Sequence, residues 1–299
     1  MKRIYALVLV LSLASFVSTQ TQNESSAIAQ MVETERAFAR MSKEKGTTES
    51  FLAFIAEDGI LFRPKAVKGR QWLIDNPRPP AAKTPWLHWA PSYAFMARSG
   101  DMGYTFGPWE YRSEITDKDA VAFGHFLTVW KKQPDGKWKF AVDLGVSHPN
   151  PKTPPPALRL SDNAGAAQRA KTVNVTTESK ALLDKDKEVS KKSLQVGAKN
   201  AFEMNSLADV VLFREGKQPV IGRQFAAATV IPSPGGWTWI PEFAEVANSG
   251  DLGHSYGTYE IREAGTVKET GNYMRIWKKR SGVWKIAVDL ANPIVDGKN

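Results

Sequence analysis

Cysteine is absent from the 299 residues, which excludes disulfides, thiolate zinc sites, cysteine nucleophiles and lipid attachment at a cysteine. Histidine occurs only four times, at positions far apart in the chain, so no metal site is expected and no cofactor either. The signatures of well-known chemistries are missing too: no Walker loop, no Gly-x-Gly-x-x-Gly after a strand, no His-Glu-x-x-His and no Gly-x-Ser-x-Gly. Glycine (22) and proline (18) are too few for a fibrous chain, and a hydrophobic fraction of 42% is too high for a disordered one. Beyond the N-terminus, no segment is long and apolar enough to span a membrane.

Basic residues are in excess, with a formal net charge of +9. The excess could favour an anionic surface or ligand. It forms no stripe, however, and an exported chain is not expected to bind nucleic acid. Export is read from the start of the chain. Lys2 and Arg3 precede an apolar run from Ile4 to Val17, broken only by Ser12 and Ser15. That run is shorter than the roughly 20 residues of a membrane-spanning helix, and polar Ser18 to Gln22 follow, as after a cleaved secretory signal. Residues 1–20 are therefore expected to be a signal peptide, with an uncleaved anchor as the alternative. A periplasmic or secreted protein without membrane attachment after cleavage is the expectation, and a cysteine-free chain suits the periplasm.

The chain repeats itself. Residues 89–112 and 239–262 align without a gap and are identical at 11 of 24 positions, including Ser99-Gly100-Asp101 against Ser249-Gly250-Asp251. Downstream, Trp138-Lys-Phe-Ala-Val-Asp-Leu144 matches Trp284-Lys-Ile-Ala-Val-Asp-Leu290, and Trp130-Lys-Lys132 matches Trp277-Lys-Lys279. Upstream, Gly69-Arg70-Gln71 recurs as Gly222-Arg223-Gln224. The spacing is far longer than a solenoid repeat, so a whole domain is duplicated. Domain one is placed at 23–148 and domain two at 179–296. Between them, residues 149–178 open on a proline-rich run that favours an extended spacer.

Within the first copy, Ile28, Met31, Val32, Glu35, Phe38 and Ala39 fall at helical spacing after a cap at Ser25 or Ser26, and Gly46 ends the helix. Short helices are predicted over Phe51–Ala56 and Gly69–Asp75. Strands are predicted over Trp86–Ala97, Gly103–Arg112, Val121–Lys132 and Trp138–Leu144. Helices followed by an antiparallel meander make an α+β pattern. Three N-terminal helices, a Gly-Arg-Gln before the third, and the closing Asp-Gly-Lys-Trp-Lys-Phe-Ala-Val-Asp resemble the nuclear-transport-factor-2-like superfamily, and within it the SnoaL-like branch of unassigned function found in exported bacterial proteins. The resemblance covers both copies. It implies two tandem cones, each a bent sheet around three helices with a pocket at the wide end. It also implies a tendency to pair sheet against sheet, either within this chain or in a homo-oligomer.

Alternate residues of a strand share a face. One face of the third segment carries Tyr104, Phe106, Glu110 and Arg112, and its counterpart carries His254, Tyr256, Glu260 and Arg262. These suit a ligand pocket; equally, Glu110/Arg112 and Glu260/Arg262 suit a cross-strand ion pair on an outer, solvated face. His125, replaced by Asn272 in copy two, points at the same apolar surface as Leu127 and Val129. It is either a core histidine or a proton acceptor. Asp143 and Asp289 lie on the strand face opposite Trp138/Phe140/Val142 and Trp284/Ile286/Val288. They are either loop anchors or, in the manner of some enzymes of the superfamily, pocket carboxylates acting as general base. The acid–base pairs of steroid isomerases and the Asp-Arg-Asp set of epoxide hydrolases cannot be placed on this chain. Trp89, Trp130 and Trp239 belong to the aromatic β halves, where rings pack the core or rim a pocket mouth. Three functions follow as expectations: binding of a small, partly apolar ligand; an isomerase, cyclase or hydrolase using Asp143 or His125; or a protein-interaction scaffold. If one copy alone is catalytic, copy one is the better choice.

Overall fold

In the computed structural model of the chain, the residues described are 15–77, 84–161, 172–230 and 236–295, with side chains from Ala27 onward. Most of the expected signal segment, the middle of the expected spacer and residue 296 lie outside them. The order in the first unit is α1 (Ser15–Lys45), α2 (Thr47–Phe54), β1 (Ile55–Phe62), β2 (Ala66–Lys68), α3 (Gly69–Asp75), β3 (Trp86–Trp89), β4 (Tyr93–Met96), β5 (Met102–Arg112), β6 (Ala122–Lys132), β7 (Trp138–His148) and β8 (Arg159–Leu160). The second unit has α4 (Val175–Val196), α5 (Ala198–Asn205), β9 (Ser206–Arg214), β10 (Val220–Ile221), α6 (Arg223–Thr229), β11 (Trp237–Val246), β12 (Leu252–Glu263), β13 (Thr266–Arg280) and β14 (Val283–Pro293). The chain is thus α+β, with two tandem units of three helices and one sheet.

The sheets run β2-β1-β7-β6-β5-β4-β8, with β3 also on β5, and β10-β9-β14-β13-β12-β11. The meanders are antiparallel, while β1/β7 and β9/β14 pair in parallel. In each unit the long helix, α1 or α4, packs on one face of its sheet. The apolar stripe of α1 (Ile28, Met31, Val32, Phe38) is buried at i, i+3, i+4 spacing. Its helix ends where Gly46 takes φ 98°, a conformation that costs glycine little.

Several boundaries differ from the sequence-based expectation. The first helix begins at Ser15, well before Ser26. The second starts at Thr47 and gives way at Ile55 to a strand, because Ile55 and Ile60 pair with β7. Trp86–Ala97 is two strands, broken at Ala90-Pro91-Ser92, where proline has no N–H to offer the ladder. Part of the expected spacer pairs as well, with Arg159 and Leu160 parallel to Tyr93 and Ala94.

A β-bulge decides which way the last strand faces. Val129 pairs with Val142 but Trp130 pairs with Phe140, so Ala141 is extra and the side-chain alternation inverts there. Phe140 and Trp130 face the helices, whereas Val142, Leu144 and Val146 face outward. The second unit repeats the device at Ala287, between Trp277/Ile286 and Ile276/Val288. Asp143 and Asp289 therefore lie opposite Val142 and Val288, as expected, but on the same side as Phe140 and Ile286. The period-2 rule cannot show this, because it carries no information about an inserted residue.

The outward sheet faces pack on each other. One cluster joins Phe95, Tyr104, Leu127 and Leu144 of the first unit to Phe213, Tyr256, Met274 and Leu290 of the second. The contacts have near two-fold character: Phe62 meets Tyr256 edge-on at 5.8 Å and Phe213 meets Phe106 at 5.3 Å. The two Ser-Gly-Asp turns touch. The Ser99 and Ser249 hydroxyls are 2.8 Å apart, and each also accepts from the other serine's N–H at 3.1 Å. This is an isologous contact made inside one chain.

Candidate functional site

The helix-covered side of the first unit holds a cavity of about 480 Å3, within the range of small-molecule sites. Its walls are aromatic: Phe38 from α1, Phe51 from α2, Trp89 from β3, Trp109 from β5 and Phe126 from β6. Trp109 packs closely on the backbone of β6 because Gly124 leaves room for it; a Cβ on Gly124 would come within 2.2 Å of its indole. Asp143 of β7 and Arg63, just after β1, supply charge. The far rim belongs to the second unit, through Glu215, Asn272, Asn292 and the tail Pro293–Val295. Asn272 reaches over to donate to the Pro64 carbonyl at 2.6 Å, and Asn292 donates to Gly145 at 3.0 Å.

Behind the aromatic wall lies a fully buried acid. Glu35 of α1 accepts hydrogen bonds from Trp89 Nε1 (2.6 Å), Thr105 Oγ1 (2.6 Å) and Trp130 Nε1 (2.9 Å). Burial pushes its pKa up to about 7, against the downward pull of those donors. Asp143 accepts from Thr128 Oγ1 at 2.6 Å. Burial again dominates, raising it to about 6, while the Thr128 bond and Arg63 oppose the shift. Thr105, Thr128 and Asp143 stand in one cross-strand row of β5, β6 and β7.

The same row in the second unit is Ser255, Arg275 and Asp289, and there a long cationic side chain stands in place of Thr128. Arg275 is fully buried and donates to Asp186 at 2.5 Å and to Asp289 at 2.6 Å. Its guanidinium lies 4.4 Å from the Trp239 ring centroid and 4.9 Å from that of Tyr273. Arg214 adds a second cation to Asp289 at 2.5 Å. Burial alone would raise the Asp289 carboxyl, but Arg214 and Arg275 together hold it below the ordinary carboxylate range.

The residues singled out from sequence fall into four places. Trp89 and Asp143 line the first cavity, and Asn272 lines it from the other unit. Trp130 is buried against Glu35, while Trp239 and Asp289 surround Arg275. Tyr104, Phe106, His125, His254 and Tyr256 are corrections to the pocket reading, for they sit between the two sheets. Thr105 and Ser255 reach the helix acids Glu35 and Asp186, so the odd-numbered face of β5 and β12 is the inner one. His125 bonds His148 at 2.8 Å and stacks on Phe213, and burial lowers its pKa to about 4. His254 is likewise buried in the seam, with its pKa lowered to about 3 by burial. Glu110 and Glu260 form ion pairs with Arg112 and Arg262, both at 2.6 Å. These pairs lie two residues apart along one strand rather than across strands.

Sequence reasoning passed over Glu35, Arg63, Phe38, Phe51, Trp109 and Phe126 as site residues. Glu35 had a readable signal: it interrupts an apolar helical stripe, and an acid, Asp186, stands at the same distance before Gly197 as Glu35 before Gly46. The exchange of Thr128 for Arg275 within otherwise matched strands was legible too.

No family model matches the chain, and no curated protein matches it. Solved structures do. A nuclear-transport-factor-2-like protein of unknown function from Shewanella oneidensis MR-1 is 17% identical, covering 39% of this chain and 98% of its own, with a TM-score of 0.32. A ketosteroid isomerase-like protein from Erwinia carotovora atroseptica SCRI1043 is 15% identical, covering 38% and 95%, with a TM-score of 0.33. A nuclear-transport-factor-2-like protein with a cystatin-like fold from Novosphingobium aromaticivorans is 16% identical, covering 40% and 86%, with a TM-score of 0.31.

Proposed function

We propose that the chain is an exported two-unit protein whose first unit binds a small, partly apolar ligand in the cavity walled by Trp89, Trp109 and Phe126. One observation carries the reading. Two copies of one cone have kept their acids and aromatic rings, yet one sets the buried Arg275 between its acids while the other has a cavity bordered by Asp143. A polar end of the ligand meets Asp143, Arg63 and the amides from the second unit, and its apolar body lies on the rings. Sheet faces that a scaffold would offer to another protein are covered by each other.

An enzymatic reading is favoured by one feature, a carboxyl raised to about 6 by burial on the wall of an aromatic cavity, where it suits a general base near neutral pH. His125 has no such access.

Saturation-transfer NMR with 2-naphthol, a neutral aromatic probe, tests the binding reading. The full chain is expected to give transfer, and Thr128→Arg, which grafts the second unit's plug, is expected to remove it. Equal transfer in both proteins would place the probe elsewhere and refute the proposal.

A further inference from the structure

The two units act as an internal comparison for what the open cone is built to hold. Five positions keep their chemistry: Glu35 matches Asp186, Trp89 matches Trp239, Thr105 matches Ser255, Phe126 matches Tyr273 and Asp143 matches Asp289. The sixth does not, since Thr128 stands where the second unit has Arg275. In the second unit those surroundings are occupied by a guanidinium, bonded to both acids and lying on both rings. In the first unit, Thr128 is too short to reach beyond Asp143 and gives its hydroxyl to that carboxyl. Trp89, Phe126 and Asp143 all line the open cavity.

From this juxtaposition we infer that the ligand of the first unit carries a protonated amidine or guanidine group, seated against Asp143 and the faces of Trp89 and Phe126 where Arg275 sits in the second unit. The inference rests on the proposed binding role of the cavity and specifies the ligand's chemical class. Arg63 does not bar such a cation. Its counterpart Arg214 shares the Asp289 carboxylate with Arg275, one cation on each oxygen. Nor does the rim oppose it, because Glu215 adds a carboxylate there and Asn272 an amide. A cation held by one carboxylate and two aromatic faces gains from charge-assisted hydrogen bonding and from ring quadrupoles together.

The test uses three probes of nearly one shape and different charge, titrated calorimetrically into the full chain at pH 7.5: benzamidine, benzamide and benzoate. Benzamidine is expected to bind at least tenfold more tightly than benzamide, and benzoate not to bind. Asp143→Asn is expected to erase the preference, and Thr128→Arg to abolish benzamidine binding. Benzamide or benzoate binding as tightly as benzamidine would overturn the inference. So would a preference for benzamidine that survives in Asp143→Asn, a variant that leaves side-chain volume and the Thr128 bond in place. Absence of any amidine preference while 2-naphthol still requires an open cone would defeat this inference alone. Loss of both would defeat the cavity reading as well.

Discussion

Replacing Arg275 by Met in the second unit tests the view that its cone is closed by electrostatics. Arg275 has no exposed surface and is the cation bonded to Asp186, while Asp289 keeps Arg214 after the change. Asp186 retains the Ser255 hydroxyl at 2.6 Å and Tyr273 at 2.8 Å, which are hydrogen bonds without charge. A unit charge pair about 4 Å apart is worth about 4 kcal/mol at an effective dielectric near 20. Removing one partner of a buried pair costs about 3–5 kcal/mol through the stranded charge. Arg275→Met is therefore expected to lose about 3–5 kcal/mol at pH 7. Adding Asp186→Asn removes the stranded charge and is expected to restore most of that loss. Urea denaturation, with amide hydrogen exchange separating the two units, measures both changes. A single variant within about 1 kcal/mol of the parent would refute the reasoning. So would a double variant that recovers nothing, because the loss would then be one of packing.

The open cone is expected to respond to pH in the opposite sense from most carboxylates. Asp143 and Glu35 have folded pKa values raised above their unfolded ones, so the folded state binds protons more tightly. Their contribution is present below about pH 4 and lost as pH rises through about 6 to 7. Asp143→Asn is accordingly expected to gain up to about 2–3 kcal/mol over the parent at pH 8 and little at pH 4, at 1.36 kcal/mol per pKa unit; thermal unfolding at both pH values checks this, and equal differences would contradict it. Gly124→Ala should cost about 1–3 kcal/mol or more, because its Cβ would meet the Val146 carbonyl at 2.0 Å as well as the Trp109 indole. Chemical denaturation checks the loss, and 2-naphthol binding should fall with it as Trp109 moves.

Much of the architecture was open to reading along the chain. The duplication followed from identities at fixed spacing, and the α+β order from periodicities of 3.6 and 2. The turn at Ser99-Gly100-Asp101 was recognisable as a turn, though not as the place where the units touch. Asp143 was a candidate by its position near the end of a strand, and the structure puts it on the cavity wall. The error over Tyr104, Phe106 and their counterparts has a definite cause. Alternation separates two faces of a strand but does not label them, and both faces of β5 and β12 are covered, one by helices and one by the partner sheet. Apolar and aromatic residues consequently occur on both, and composition cannot choose between them.

What the sequence determined by itself is the inventory: two copies, and oxygen and nitrogen chemistry without thiols, with the copies differing at positions such as His125 against Asn272 and Thr128 against Arg275. Tertiary structure alone decided which side is inside, because the bulges at Ala141 and Ala287 invert the last strand and the facing sheets claim the other surface. It also decided that Asn272, from one cone, borders the cavity of the other. The bulges are single inserted residues, and the contacts between units join residues more than a hundred positions apart; no local period encodes either.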